Sequence, residues 1–115
     1  THCMLPLSKI DLDKAKKEPC MFVDTGVPAL FKAAYELGAN KKNIIVKVAG
    51  ASQILDSKGL FNIGKRNFTV LRKILWKNGV LIESADIGGS NTRTVYMSVQ
   101  TGWVGVKSNG IINEL

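Results

Sequence analysis

The chain has 115 residues, 45% of them hydrophobic and 22% charged, which is typical of one globular domain with a modest core. No apolar run approaches the roughly 20 residues that a membrane-spanning helix needs, so we expect no membrane insertion. The two cysteines make no disulfide framework and favour a reducing, cytoplasmic setting. The formal net charge of +7 would steer an acidic protein partner, but the basic residues are scattered and accompany no nucleic-acid-binding motif, so no specific nucleic-acid binding is expected.

The first 20 residues are predicted to contain one strand and one loop. Residues 1–5 alternate and are rich in strand-compatible types, and Pro6 ends the predicted strand. Residues 8–19 are charged and lack periodicity, which predicts an exposed loop.

A helix is predicted over residues 24–40. Asp24 or Thr25 can cap it, and Pro28 falls in the first turn, where backbone N–H groups lack helical partners. Gly38 suits its C-terminal end. One apolar stripe runs along this helix and consists of Val27, Leu30, Phe31 and Ala34.

The second half of the chain is predicted to contain another helix and several strands. Residues 43–50 are a nearly continuous apolar run, which predicts a central strand. A glycine-containing connection with room for one helical turn leads to a helix over residues 63–79, with Asn78-Gly79 as its stop. The inward side chains of this helix are predicted to be Phe68, Leu71 and Leu75. Further strands are predicted at residues 80–87, 93–99 and 103–108, with turns between them.

These elements indicate an α+β fold. We predict a single layered domain spanning residues 1–115, with mixed β-sheets and two main helices packed on the outside.

His2 is the only histidine, and Cys3 stands beside it, which suggests thiol chemistry. In a strand, successive side chains point to opposite faces, so Cys3 would face the core where His2 faces a cleft. Adjacent residues are therefore a poor nucleophile–base pair, and we interpret Cys3 as a small buried side chain. Cys20 ends a polar loop and nothing near it marks an activated thiol. From composition alone, the favoured interpretation of His2 is an inactive histidine at a frayed terminus.

The chain offers no pattern for a metal or a cofactor. One histidine and two scattered cysteines provide no ligand spacing for a metal ion. Gly88-Gly89 lacks the spacing of a phosphate-binding loop and is interpreted as a turn. We therefore expect no metal and no cofactor.

Several motifs occur in an order that resembles a known family. The stretch His2 to Pro6, HCMLP, is followed by FVDTGVPALF, LGANKKNIIVKVAGAS, FNIGKRN, GVLIESADIGGSNTRTVYM and TGWVGVK. Over essentially its whole length the chain resembles the CheD family of chemoreceptor glutamine deamidases.

The resemblance implies a cysteine hydrolase that converts receptor glutamines to glutamates and releases ammonia; some members also hydrolyse methylated glutamates. His2 matches the catalytic histidine of the family's H-x-M-L-P motif. The family's cysteine nucleophile lies upstream in a G-[ST]-C turn, so we expect the nucleophile upstream of Thr1. The implied partners are the cytoplasmic helical region of chemoreceptors and a CheC-type phosphatase.

The chain departs from the family pattern at three places. Cys3 stands where a plain apolar residue is usual. Residues 50–52, Gly-Ala-Ser, replace a Gly-Gly-Ala turn, which reduces backbone freedom there. Residues 88–91 replace Gly-Gly-Asn-Arg, which leaves Arg93 as the retained basic residue.

Two functional hypotheses follow from the sequence. The first is a glutamine deamidase in which His2 is catalytic. The second is a catalytically silent module that binds a signalling partner such as the CheC-type phosphatase, because the nucleophile is missing from these residues.

Overall fold

The structure is a computed structural model that describes residues 1–54 and 58–115. Its α-helices are Leu12–Lys17 (α1), Val23–Glu36 (α2) and Ile63–Lys77 (α3). Its β-strands are Val46–Gly50 (β1), Ile82–Ile87 (β2), Thr94–Met97 (β3), Val104–Ser108 (β4) and Ile111–Glu114 (β5). Short 3-10 turns cover Ser8–Ile10, Pro19–Met21 and Lys41–Asn43. Helices together with one parallel and one antiparallel sheet confirm the predicted α+β class.

The chain forms two compact units. The first consists of residues 1–44 and 66–81 and contains α1, α2 and most of α3. The second consists of residues 45–65 and 82–115 and contains all five strands. Among the helices of the described ranges, none has the length and apolar character needed to cross a bilayer.

The first unit differs from prediction at its start. Residues 1–4 form no strand, and Leu5 makes only one isolated parallel bridge, to Phe22, so the predicted first strand is wrong. The predicted loop over residues 8–19 is also wrong, because it contains the short helix α1. The Asp11 side chain caps α1 by accepting a hydrogen bond from the Lys14 amide at 3.0 Å.

Helix α2 begins one residue earlier than predicted and is capped differently. Phe22 is its N-cap residue and contributes no side-chain hydrogen bond, so the predicted caps Asp24 and Thr25 are wrong. Its first free N–H groups, those of Val23 and Asp24, donate to backbone carbonyls of residues 5 and 6 instead. Pro28 lies inside the helix rather than in its first turn.

The ends of α2 and α3 confirm the predicted glycine stops. Gly38 has φ 97°, and the amides of Gly38 and Ala39 fold back onto carbonyls of the last turn of α2. Gly79 has φ 67° and ends α3 in the same way. The buried side chains of the first unit are Pro6, Ala15, Phe22, Val23, Val27 and Leu75. Leu75 is inward as predicted, whereas Phe68 and Leu71 are half-buried.

The second unit consists of two separate sheets. In the first, β1 and β2 run parallel, with Gly50 opposite Ile87. Within the described part of the chain β1 pairs only with β2, so the predicted central position of β1 is wrong. In the second sheet β3, β4 and β5 are antiparallel in chain order.

Strand β5 is absent from the prediction, although its turn carries a strong signal. Asn109 and Gly110 have φ of 52° and 78°, which suits the two-residue hairpin turn between β4 and β5. The connection before α3, for which one helical turn is considered, includes residues 55–57, which lie outside the described residues. Gly64 lies in the first turn of α3. The helix passes so close to the connection there that a Cβ at residue 64 would overlap the carbonyl oxygen of Ala51.

Candidate functional site

His2 is exposed on a segment, residues 1–7, that we call the His2 segment. The amides of Met4 and Leu5 both donate to the carbonyl of Met21, at 2.8 and 3.0 Å, and the Val23 amide donates to the Leu5 carbonyl at 2.9 Å. These bonds hold the His2 segment along the residues that lead into α2. Pro6, four residues after His2, is fully buried and anchors the segment in the first unit.

A second attachment follows immediately. The backbone amide and the hydroxyl of Ser8 donate to the two carboxylate oxygens of Asp24, at 2.8 and 2.9 Å. Because Asp24 lies in the first turn of α2, this contact fixes the exit of the His2 segment to the same helix. Hydrogen bonds to a charged group are the stronger kind.

A third attachment comes from α3. The side-chain amide of Asn67 donates to the carbonyl of Met4 at 3.2 Å. In the sequence, Asn67 stands out only as part of the FNIGKRN motif, which assigns it no contact. No local pattern could have revealed this bond, because the two residues are 63 positions apart.

Cys3 lies half-buried next to α2. Its Sγ atom is 3.1 Å from the position that a Cβ would occupy at Gly26, so the helix approaches the thiol closely only because residue 26 is glycine. Burial raises the pKa of the Cys3 thiol above its ordinary value of 9.0, and His2 does not contribute to this shift. The structure therefore places Cys3 in a packing environment and does not activate it.

Cys20 is exposed in the turn Pro19–Met21. The hydroxyl of Thr25 donates to the Pro19 carbonyl at 2.6 Å and fixes this turn against α2. Cys20 also lies near Gly26, since its Cα would be 3.0 Å from a Cβ at that glycine. Both cysteines therefore lie beside α2. Neither forms a thiol–imidazole pair with His2.

The retained basic residue Arg93 lies in the second unit and is already engaged there. Its side chain is 11% exposed and forms an ion pair with Asp86 at 3.1 Å. Its guanidinium also donates to the carbonyls of Gly50 and Gly88, at 3.3 and 2.9 Å, and to the hydroxyl of Ser52. Arg93 thus ties the ends of β1 and β2 to the turn after β2.

Metal ligands do not come together in the described ranges. No group of three or more histidine, cysteine, aspartate or glutamate side chains is arranged to hold a metal ion there. In the first unit, the exposed imidazole of His2 is the candidate acid–base group.

The fold and the site define a class: a small α+β protein that presents a single exposed histidine on an HCMLP segment fastened between two helices. The family model described as CheD chemotactic sensory transduction matches residues 4–108. The chain therefore belongs to the CheD family, as its motifs implied.

Curated relatives agree with this assignment. The chain is 55% identical over 109 residues to the probable chemoreceptor glutamine deamidase CheD 1 of Syntrophus aciditrophicus (strain SB), covering 95% of this chain and 68% of the relative. It is 42% identical over 114 residues to the probable chemoreceptor glutamine deamidase CheD of Solibacter usitatus (strain Ellin6076), with 99% and 68% covered. The corresponding protein of Syntrophotalea carbinolica is 40% identical over 111 residues, with 95% and 68% covered.

Proposed function

We propose that the protein is a chemoreceptor glutamine deamidase and that His2 is its catalytic histidine. The observation that carries the proposal is the placement of His2: its imidazole is exposed, and the segment that follows it is fastened to the start of α2 and to α3. Membership of the CheD family supports the reaction. The names of the curated relatives support the substrate, a glutamine side chain of a chemoreceptor.

The reaction replaces a side-chain amide with a carboxylate. In the first half, a thiolate attacks the amide carbonyl, and the imidazolium gives its proton to the departing ammonia. In the second half, the imidazole takes a proton from water, the hydroxide attacks the thioester, and glutamate and the thiol are released. His2 fits this shuttle because its imidazole is exposed and carries nitrogen atoms that can both accept and donate a proton.

The nucleophile is proposed to be a cysteine other than Cys3 and Cys20, on residues that precede Thr1 in the full protein. Cys3 is half-buried with a raised pKa, so little of it is thiolate near neutral pH. Cys20 lies beside Gly26 in the turn before α2. The alignment covers 68% of each of the two relatives.

The proposed partners are the cytoplasmic helical region of chemoreceptors and a CheC-type phosphatase, and the proposed setting is the cytoplasm. The net charge of +7 supports an acidic partner, because complementary charge speeds encounter. We also propose that residues 1–115 act as one functional domain, since the match to the family extends over residues 4–108 and includes both units.

The test uses the full-length protein and a cytoplasmic receptor fragment. Mass spectrometry should detect the mass increase that accompanies replacement of an amide by an acid at specific glutamines. The substitution His2→Ala should lower kcat by about 10² to 10⁴, the usual contribution of a general acid–base group. The matched controls Cys3→Ser and Cys20→Ser should leave kcat unchanged.

Two results would contradict the proposal in different ways. If the wild-type protein converts no glutamine, the deamidase function is wrong and the partner-binding role takes its place. If conversion occurs but is unaffected by His2→Ala, or is abolished by Cys3→Ser or Cys20→Ser, the assignment of residues to roles is wrong.

A further inference from the structure

Asn67 contacts the backbone immediately after His2. Its side-chain amide reaches from α3 to the carbonyl of Met4, two residues beyond His2. The N–H of the same Met4–Leu5 peptide donates to the carbonyl of Met21. A peptide group is planar, so bonds at both edges fix its orientation. Asn67 therefore supplies one of the three bonds, with those from the Met4 and Leu5 amides to Met21, that set the direction in which the chain leaves toward His2.

Closer to His2 the backbone has less support. Within the described ranges, residues 1–3 make no backbone–backbone hydrogen bond, whereas Met4 and Leu5 do. The last held backbone groups before His2 are therefore the Cys3–Met4 peptide, through the Met4 N–H, and the adjoining Met4–Leu5 peptide, which Asn67 and Met21 hold together. A change in the orientation of the Met4–Leu5 peptide would alter the course of the chain toward His2.

The side-chain oxygen of Asn67 indicates that this residue does more than stabilise the fold. Its Oδ1 atom is buried and has no hydrogen-bond partner among the described residues. The amide cannot be turned over to relieve this, because only its NH2 group can donate to the Met4 carbonyl. The cost of a buried unpaired acceptor is at least as large as the net contribution of a typical hydrogen bond, so the Asn67 side chain is not expected to add net stability.

We propose that Asn67 is a positioning residue that orients His2 through the Met4–Leu5 peptide. This inference rests on the proposed function, in which His2 is the proton shuttle. Asn67 bonds to the Met4 carbonyl, so its proposed action is to hold the backbone that leads to His2. Misplacing a catalytic group by about 1 Å can reduce a rate by about 100-fold, so the expected effect is on kcat.

The decisive variant is Asn67→Leu in the full-length protein. Leucine has nearly the shape of asparagine but removes both the amide donor and the unpaired oxygen, so the melting temperature should not fall. We expect kcat to fall by up to about 100-fold with little change in KM. The variant Asn67→Gln keeps an amide donor and should recover part of the lost rate.

The matched control is Asn78→Leu. The Asn78 side-chain amide also donates to a backbone carbonyl, that of Ile74 at 2.8 Å, but within α3 and its end. This substitution makes the same chemical change without touching the His2 segment, so kcat should remain at the wild-type value.

Nuclear magnetic resonance provides a readout that does not depend on activity. His2 is the only histidine of this sequence, and in the full-length protein its imidazole signals are identified as those that His2→Ala removes. We expect Asn67→Leu to shift these signals and Asn78→Leu to leave them unchanged.

The outcomes separate this inference from the proposed function. If Asn67→Leu retains the wild-type kcat and imidazole signals, or if its rate loss only follows a loss of folded protein, the positioning role is wrong. If the wild-type protein shows no deamidation, the proposed function fails, and the imidazole signals alone decide whether Asn67 orients His2.

Discussion

The surroundings of Cys3 decide its chemistry more than the histidine beside it in the sequence does. Its thiol packs against the position where α2 carries Gly26, and burial raises its pKa. His2, one residue earlier, is exposed. A thiol activated by an imidazole needs that group within hydrogen-bond reach and is ionised as a result. The pKa of Cys3 is instead raised by burial, and we therefore propose that the nucleophile is another cysteine.

Thiol labelling tests this difference at residue scale. In the Cys20→Ser variant only Cys3 of this chain can react, and in Cys3→Ser only Cys20 can. We expect Cys20 to be alkylated faster because it is exposed. Since the pKa of Cys3 is raised, its thiolate fraction is small below that pKa, and its labelling rate should keep rising with pH after an ordinary thiol has levelled off.

The same assay includes His2→Ala as the test of coupling. This substitution should leave the labelling rate of Cys3 unchanged. A several-fold decrease would show that the imidazole activates Cys3 after all, and the proposed location of the nucleophile would then be wrong.

At the scale of elements, the sequence predicts helices that have a hydrophobic period and a glycine at their C-terminal end. The bounds and glycine stops of helices α2 and α3 agree with prediction within a few residues, whereas Leu30 of the predicted α2 stripe is exposed. Helix α1 escapes prediction because six residues are too few to show a period. Strand β5 also escapes it, although Asn109-Gly110 is a strong hairpin signal.

The site is predictable in part, for a related reason. His2 stands in a recognisable motif, so its candidacy needs no structure. The predicted strand around it is wrong because alternation alone does not provide a pairing partner, and the segment is held by single bonds to other elements instead. Contacts such as those of Asn67 and Asp24 join residues far apart in sequence, where no local pattern operates.

The attachment of the His2 segment to α2 can be tested through Asp24. Asp24→Ala removes the acceptor of two bonds from Ser8, and hydrogen bonds to charged groups contribute about 1.5–3 kcal/mol. It also removes a negative charge from the first turn of a helix, worth about 0.3–1 kcal/mol. If the two bonds to this one carboxylate are taken as a single contribution, the free energy of unfolding, measured in urea, should fall by about 2–4 kcal/mol.

Asp13→Ala is the matched control for this prediction. Asp13 is exposed and lies in the first turn of α1, so its loss should lower the free energy of unfolding by less than about 1 kcal/mol. Equal effects of the two substitutions would show that the Ser8–Asp24 contact contributes nothing beyond the helix dipole.

At the scale of the whole molecule, charge is the property that bears most directly on the partner. The sequence contains sixteen lysine and arginine residues and nine acidic residues. Arg93 is engaged with Asp86, and Lys14 pairs with Glu18 at 3.4 Å on α1. Exposed basic side chains occur in both units, on α3 and on β4 among other places. The positive electrostatic field therefore does not come from one patch of residues. We expect it to speed the association of the protein with an acidic receptor.

Salt should weaken this encounter without affecting the chemical step. The Debye length falls from about 10 Å at 0.1 M ionic strength to about 3 Å at 1 M, so kcat/KM for a receptor fragment should decrease as salt is added. At saturating receptor, kcat should stay constant, because encounter no longer limits the rate. Lys73→Gln, which removes one exposed positive charge, should reduce kcat/KM at low salt, and Asp13→Asn, which removes a negative charge, should raise it. Both differences should vanish at high salt. A salt-independent kcat/KM, or equal effects of the two substitutions, would show that the net charge does not guide the protein to its receptor.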